Sequence, residues 1–239
     1  MRTFSREDFF EATRAIPLPN RERERRAKYR WNSLCKPIGS FGVLETMITR
    51  LVGLSPGDEL EVKPRAVFVF SADHGIVAEG VSQTGQDVTA QVVRNIADGR
   101  ATINILGRKT DCLVIPVNVG VAELENDYPG VVHTPVMPNG TNNFAYEDAM
   151  GEEEMMMAIR IGMELALKAA SEDYKILIAG EMGIGNTSAA TAMLAALTGR
   201  PASDLTGRGA GLSDDGLQRK IQVLTDALAM REVDRYNAF

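Results

Sequence analysis

Lys175-Ile176-Leu177-Ile178-Ala179, running into Gly180-Glu181-Met182-Gly183-Ile184-Gly185-Asn186-Thr187-Ser188, decides the fold. After Lys175 come four apolar residues in a short continuous run with no polar alternation. That pattern predicts a strand buried on both faces of a parallel sheet. Glycines follow at 180, 183 and 185, and a helix is expected from about Thr187 to Leu197. Glycines at a strand–helix junction let the backbone turn tightly and approach a ligand. The free N–H groups and dipole of the helix start then suit a phosphate. Gly180 and Gly185 have the G-x4-G spacing of a nucleoside-triphosphate loop, but Asn186 stands where that loop needs its lysine. The dinucleotide pattern G-x-G-x-x-G fails as well, because Ser188 replaces its third glycine. A single phosphate, as in a mononucleotide, is the more economical ligand. A tight connection that holds nothing is the alternative. Glu181 beside such a cradle would repel an anion unless it accepts a proton or stabilises positive charge on a sugar ring. It could instead simply meet the helix dipole.

The same strand signature recurs upstream. Ala66-Val67-Phe68-Val69-Phe70 and Cys112-Leu113-Val114-Ile115-Pro116-Val117 read as two more buried strands. Helical patterns fall between and after them, over 88–106, over 152–170 with Met155, Ile159, Met163 and Leu167 on one stripe, and over 214–230. Strands alternating with helices predict an α/β fold, a parallel sheet flanked by helices with right-handed crossovers. Ligands in such sheets bind beyond the carboxyl ends of the strands. Residues 119–150 show no period and carry Gly, Pro and Asn, which predicts a long functional loop.

The first 60 residues read differently, as a helical segment. Ser5 caps a first helix bearing Phe9, Phe10 and Ile16, which Pro17 and Pro19 end. Arg21–Arg30 alternates arginine with glutamate, the pattern of a solvated helix laced with i,i+4 pairs, with an anion-binding arm as the other reading. Val43–Leu54 is amphipathic through Leu44, Met47, Ile48 and Leu51, and Ser55-Pro56-Gly57-Asp58 ends it. We therefore expect a small N-terminal lobe over 1–60 and an α/β domain over 61–239.

Composition narrows the function. A net charge of −6 over 239 residues repels a nucleic-acid backbone, so no polynucleotide partner is expected. The two cysteines, Cys35 and Cys112, lie outside any C-x-x-C pair and read as reduced thiols of a cytoplasmic protein. Two distant histidines, His74 and His133, give no zinc pattern. The opening MRTFSREDFFEATRAI is charged and reads as neither a signal peptide nor a membrane anchor. No G-x-S-x-G elbow supports a serine hydrolase.

Two further segments are candidates for chemistry. Gly207-Arg208-Gly209-Ala210-Gly211 is a flexible loop with a cation, ahead of a helix capped by Ser213. Arg208 can fork onto a phosphate or simply face solvent. The first strand leads into Ser71-Ala72-Asp73-His74-Gly75 and then Glu79-Gly80-Val81-Ser82-Gln83-Thr84-Gly85-Gln86. Asp73 can orient His74 or bond a ribose hydroxyl, or the pair can form a hydrogen-bonded turn.

Taken in order, five segments resemble the nicotinate-nucleotide–dimethylbenzimidazole phosphoribosyltransferase family. They are Ser33-Leu34 with Lys36-Pro37, Gly39-Ser40, Gly42 and Leu44-Glu45; Ala72–Gly75 with Glu79–Ser82 and Val88-Thr89; Gly140-Thr141 with Asn143 and Ala149-Met150; Gly180–Thr187; and Gly207–Gly211. The resemblance implies a Rossmann-like sheet, a small lobe from the chain termini and a homodimer. It implies that a base of the benzimidazole type attacks C1′ of nicotinate mononucleotide with inversion, releasing nicotinate. No metal or organic cofactor is implied. Glu181 is then the expected catalytic carboxylate. Gly183, Ile184, Gly185, Asn186, Thr187, Gly207, Arg208, Gly209 and Gly211 would hold the phosphoribosyl group. Ser82, Gln83, Thr84, Gln86 and Met182 would line the base pocket, with Asp73 and His74 in support.

Three departures accompany the resemblance. Thr84-Gly85 stand where the family often has Tyr-Pro, which removes an aromatic wall. Asn118-Val119-Gly120 replace an Asp-x-Gly, which removes a charge. The family's C-terminal glutamate, regarded as its general base, maps onto no residue up to Phe239. The domain is therefore read as incomplete at its C-terminus, and a nonenzymatic nucleotide- or base-binding module is the second expectation. The last helix, with Ile221, Leu224, Leu228 and Met230, is expected to leave apolar surface uncovered.

Overall fold

A computed structural model describes residues 4–57, 59–231 and 233–237, so Asp58 of the 55–58 turn and the terminal Phe239 lie outside the described residues. The chain divides into two compact units, Met1–Lys63 and Pro64–Phe239.

The first unit is helical. α1 (Arg6–Arg14) starts in a capping box in which Ser5 and Asp8 bond reciprocally. α2 (Arg21–Ser33) buries no residue and carries an i,i+4 pair of the expected kind, Arg26–Glu22 at 3.8 Å, beside i,i+3 pairs Arg21–Glu24 at 2.8 Å and Arg25–Glu22. α3 (Val43–Leu54) buries Val52 and Gly53, while Leu44 and Met47, expected on its inner face, are exposed. The Lys36–Glu45 motif pair serves the turn before α3. The Lys36 ammonium lies 2.7 Å from the Glu45 carboxylate and near the rings of Trp31 and Phe41. The Lys36 hydrogen bond holds the Glu45 carboxyl below its usual range.

The second unit contains a four-stranded sheet in the order β3-β2-β1-β4, with every pair parallel. The strands are β1 (Arg65–Ala72), β2 (Cys112–Gly120), β3 (Val132–His133) and β4 (Ile176–Met182). β1 is central and almost wholly buried, as its unbroken apolar run predicts. The chain crosses from β1 to β2 through α4 (Asp87–Ala97) and α5 (Thr102–Thr110). The periodicity predicts a single helix over 88–106. Gly99, at φ +76°, breaks it by adopting the left-handed region. α6 (Glu152–Ser171) returns the chain across the sheet to β4. Its buried residues are Met156 and Ala169, whereas Leu167 of the expected stripe is exposed. α7 (Asn186–Thr198), a short turn of helix α8 (Ala202–Leu205) and α9 (Asp214–Met230) complete the unit.

Two expectations change here. The apolar run of β4 predicts burial on both faces, yet β4 is an edge strand with Leu177 and Ile178 exposed. The stripe of α9 predicts bare apolar surface, yet Leu224 is fully buried and Ala227 nearly so. Of the residues expected to be bare, Met230 at the end of α9 is exposed, and α7 adds Met193, Leu194 and Leu197. Among the described residues no helix is long and apolar enough to cross a membrane.

The strand order positions the site. β2 and β3 lie on one side of β1 and β4 on the other, so the chain leaves β1 in opposite directions. The carboxyl ends of β1 and β4 therefore flank a topological switch point, where an open parallel sheet has its crevice.

Candidate functional site

The crevice is built from Asp73-His74 at the end of β1 and Glu181-Met182-Gly183 at the end of β4. β4 extends through Glu181, so this carboxylate is mounted on the sheet, opposite Phe70, and not on a free loop. Glu181 Oε1 lies 3.5 Å from His74 Nε2. The two strand ends approach so closely at Gly183 that a Cβ there would lie 2.1 Å from the Ala72 carbonyl oxygen. Gly183→Ala is expected to cost about 3 kcal/mol or more by forcing the strand ends apart. Urea unfolding checks this, and an unchanged midpoint would refute it. Gly185 starts α7 at φ +95°, the left-handed conformation that glycine adopts without strain.

The loop is tied down from a distance. The Ile184 N–H donates to Thr89 Oγ1 at 3.1 Å, and Thr89 is fully buried on α4. This gives the Val88-Thr89 motif its purpose. Thr89→Val leaves that N–H without an acceptor and is expected to lower stability by about 1–3 kcal/mol, while Thr89→Ser retains the bond. Denaturant midpoints of the two variants distinguish the effect from simple packing loss.

Lys220 is the residue that sequence reasoning missed. It is 1% exposed, and its ammonium donates to Thr187 Oγ1 at 2.8 Å. No carboxylate pairs with it among the described residues. Burial pushes its pKa below the usual lysine value. A Cβ on Gly209 would lie 3.1 Å from Thr187 Oγ1 and 3.6 Å from Lys220 Nζ, so the second glycine loop sits against this pair. Lys220 shares the buried stripe of α9 with Gly216, Leu224 and Ala227. A lysine on an apolar stripe was the available signal.

The other anticipated residues divide. Arg208 is engaged within its own loop, donating to the Leu212 carbonyl at 2.9 Å and to Asp214. Gly211 donates its N–H to the Arg208 carbonyl, and no bond forms at Gly207 among the described residues. Asn186 donates its backbone N–H to the Gly183 carbonyl. Of the expected base-binding residues, the Ser82 hydroxyl accepts from the Thr84 N–H at 3.3 Å, and Gln86 Nε2 donates to the His74 carbonyl at 3.0 Å. Gln83 Nε2 donates to the Ala210 carbonyl at 2.8 Å. The Thr84 hydroxyl is buried without a partner. Met182 packs against the Val67–Val69–Ile96 cluster.

Asp73 is buried and accepts from the Ala122 N–H at 3.0 Å, which fastens the β1 end to the segment after β2. Among the described residues it makes no hydrogen bond to His74, and its other carboxylate oxygen, Oδ1, is buried without a partner. Asn118 caps the end of β2, its Oδ1 accepting from the Gly120 and Val121 N–H groups. Either carboxylate or amide can accept these bonds, but only the amide also has a donor, placed 3.5 Å from His133 Nδ1. Glu79 holds the 141–150 loop by accepting from Asn143 at 2.6 Å and Tyr146 at 3.1 Å.

Beside Glu181, His74 and Asn186, a cavity of about 390 Å³ opens between α7, α9 and that loop, with Phe144, Met150 and Met193 in its apolar wall. The strand ends thus bring together two carboxylates, a histidine, glycine-loop backbone and an apolar chamber, with the buried Lys220 bonded to Thr187 of the same loop.

A family model described as Phosphoribosyltransferase matches residues 16–238. The chain belongs to this phosphoribosyltransferase family. Among its relatives, a nicotinate-nucleotide–dimethylbenzimidazole phosphoribosyltransferase of Roseiflexus sp. (strain RS-1) is 41% identical over 87% of this chain. One of that name from Thermus thermophilus is 44% identical over 85%. The crystal structure of CobT from Thermus thermophilus superposes with a TM-score of 0.82 at 42% identity, covering 88% of this chain and 63% of that one. The chain spans 59% and 60% of the two relatives' lengths. As a phosphoribosyltransferase-family member of α/β class, it shares the fold of that solved structure over the matched part.

Proposed function

We propose that this chain binds the phosphoribosyl group of nicotinate mononucleotide and acts in its transfer to 5,6-dimethylbenzimidazole or a similar lower-ligand base of a cobamide. A nitrogen lone pair of the acceptor attacks C1′ with inversion. The C1′–N bond to the pyridinium breaks, its electron pair neutralises the ring, and nicotinate leaves. The benzimidazolium ring so formed then loses the proton on its other nitrogen to a general base. Positive charge develops on the ribose, where the Glu181 carboxylate stabilises it. Lys220, Thr187 and the start of α7 hold the phosphate.

The observation that carries this reading is the buried, carboxylate-free Lys220 beneath two glycine loops at the switch point. A buried cation is costly alone and is stabilised by an anion that replaces its lost hydration. The apolar cavity beside Glu181 suits an uncharged aromatic ring. A homodimer in a reducing cytoplasm belongs to the same reading, and the two free thiols fit such a compartment.

One observation favours a second reading, a binding module without turnover: Glu181 is the one carboxylate lining the cavity among the described residues. Incubation with nicotinate mononucleotide and dimethylbenzimidazole, adenine or a phenol separates the two. Release of nicotinate and formation of the riboside phosphate, followed by mass spectrometry, establish transfer. Calorimetric binding without turnover establishes the module, and neither binding nor turnover refutes both.

A further inference from the structure

Gln83 stands on the loop that follows β1, yet its side chain does not end in open space. Its amide donates to the Ala210 carbonyl at 2.8 Å, and a Cβ on Gly211 would lie 3.5 Å from the same nitrogen. The Ala210–Gly211 peptide is thereby held at both ends, since its N–H donates to the Arg208 carbonyl at 3.1 Å. The 207–211 loop is also the loop whose Gly209 sits against Thr187 and Lys220. Gln83 therefore fixes, from the opposite side of the crevice, the backbone that covers the buried cation. Its own loop is anchored, because Gln86 is bonded to the His74 carbonyl.

We propose that Gln83 is a positioning residue for the phosphate-holding loop, a latch between the β1 loop and residues 207–211, and not a contact of the acceptor base. The inference rests on the phosphoribosyl reading of the Lys220 site. Its chemistry is simple: the Gln83 amide ties the Ala210 carbonyl to the β1 loop by donating to it, and alanine or glutamate at 83 cannot donate at neutral pH.

Gln83→Ala and Gln83→Glu test it. Both should weaken nicotinate mononucleotide and ribose 5-phosphate alike by about three- to tenfold, the range of one exposed neutral hydrogen bond. Binding of free dimethylbenzimidazole should not change. Amide exchange at Gly211 and Leu212 should quicken in both variants without ligand. Loss of base affinity with mononucleotide affinity intact would make Gln83 a base contact and overturn the proposal. Unchanged exchange at Gly211 and Leu212 would overturn it whatever the ligands do. If the unsubstituted chain binds neither phosphate ligand, the phosphoribosyl reading fails separately, and exchange alone then decides whether the latch exists.

Discussion

Lys220→Met should weaken nicotinate mononucleotide binding by about 30- to 5,000-fold while leaving the thermal midpoint unchanged or higher. The two effects have opposite signs because the lysine opposes folding and favours the ligand. Its ammonium is 1% exposed, with one neutral hydroxyl as partner. Methionine has a similar length and carries no charge to desolvate, and replacing buried charge by an apolar side chain is often neutral or stabilising. Losing the partner of a buried anion costs about 2–5 kcal/mol of binding. Calorimetry and thermal melts of the variant read both effects. A lower midpoint with intact binding would show that Lys220 is structural.

The same residue sets a pH dependence. Burial lowers the folded-state pKa of Lys220 from its ordinary value of 10.5. Between the lowered value and 10.5, the unfolded chain holds the extra proton, so this group makes folding more favourable as pH rises through that window. Below the window the burial cost is present in full. A bound phosphate favours the charged ammonium, so binding within the window takes up protons and weakens as pH rises. Titrations in buffers of different ionisation enthalpy should detect that uptake, and Lys220→Met should abolish it.

Glu181→Gln is the second large effect, expected in turnover and not in binding. If the chain transfers the phosphoribosyl group, the variant should lose about 10²- to 10⁴-fold in rate, the usual range for a positioned carboxylate. The substitution keeps the shape of the side chain and removes the charge that would meet the developing oxocarbenium ion. Mononucleotide affinity should stay level or rise slightly, because a carboxylate near a phosphate is removed. Glu181 stands at the end of β4, paired in register with Phe70, so the variant should not shift the backbone that carries it. Single-turnover rates separate the two quantities. A variant that turns over at the original rate would remove Glu181 from the chemistry.

Much of this architecture is written in local pattern. The apolar runs at 66–70 and 112–117 specify interior strands because a strand buried among neighbours needs no polar alternation, and the run at 176–179 specifies a strand in the same way without saying that it lies at the edge. Glycines after β4 mark the crevice because Gly183 must admit the Ala72 carbonyl and Gly185 must turn left-handed. Ser5 and Ser213 mark helix starts by capping them. These requirements are satisfied within a few residues, so the sequence records them directly.

What only the tertiary structure decided is which side chains meet. Lys220 finds Thr187 across 33 positions, Thr89 finds Ile184 across 95 and Gln83 finds Ala210 across 127. Arg208, the cation that stood in the glycine loop, turned to Leu212 and Asp214, while a lysine from the apolar stripe of α9 reached Thr187 at the start of α7. The exposed edge of β4 was equally illegible, because an apolar strand reads alike whether or not a neighbour lies beside it. Periodicity and backbone conformation are properties of short segments and survive in one dimension. Contacts between distant segments exist only once the sheet order β3-β2-β1-β4 has brought the strand ends together.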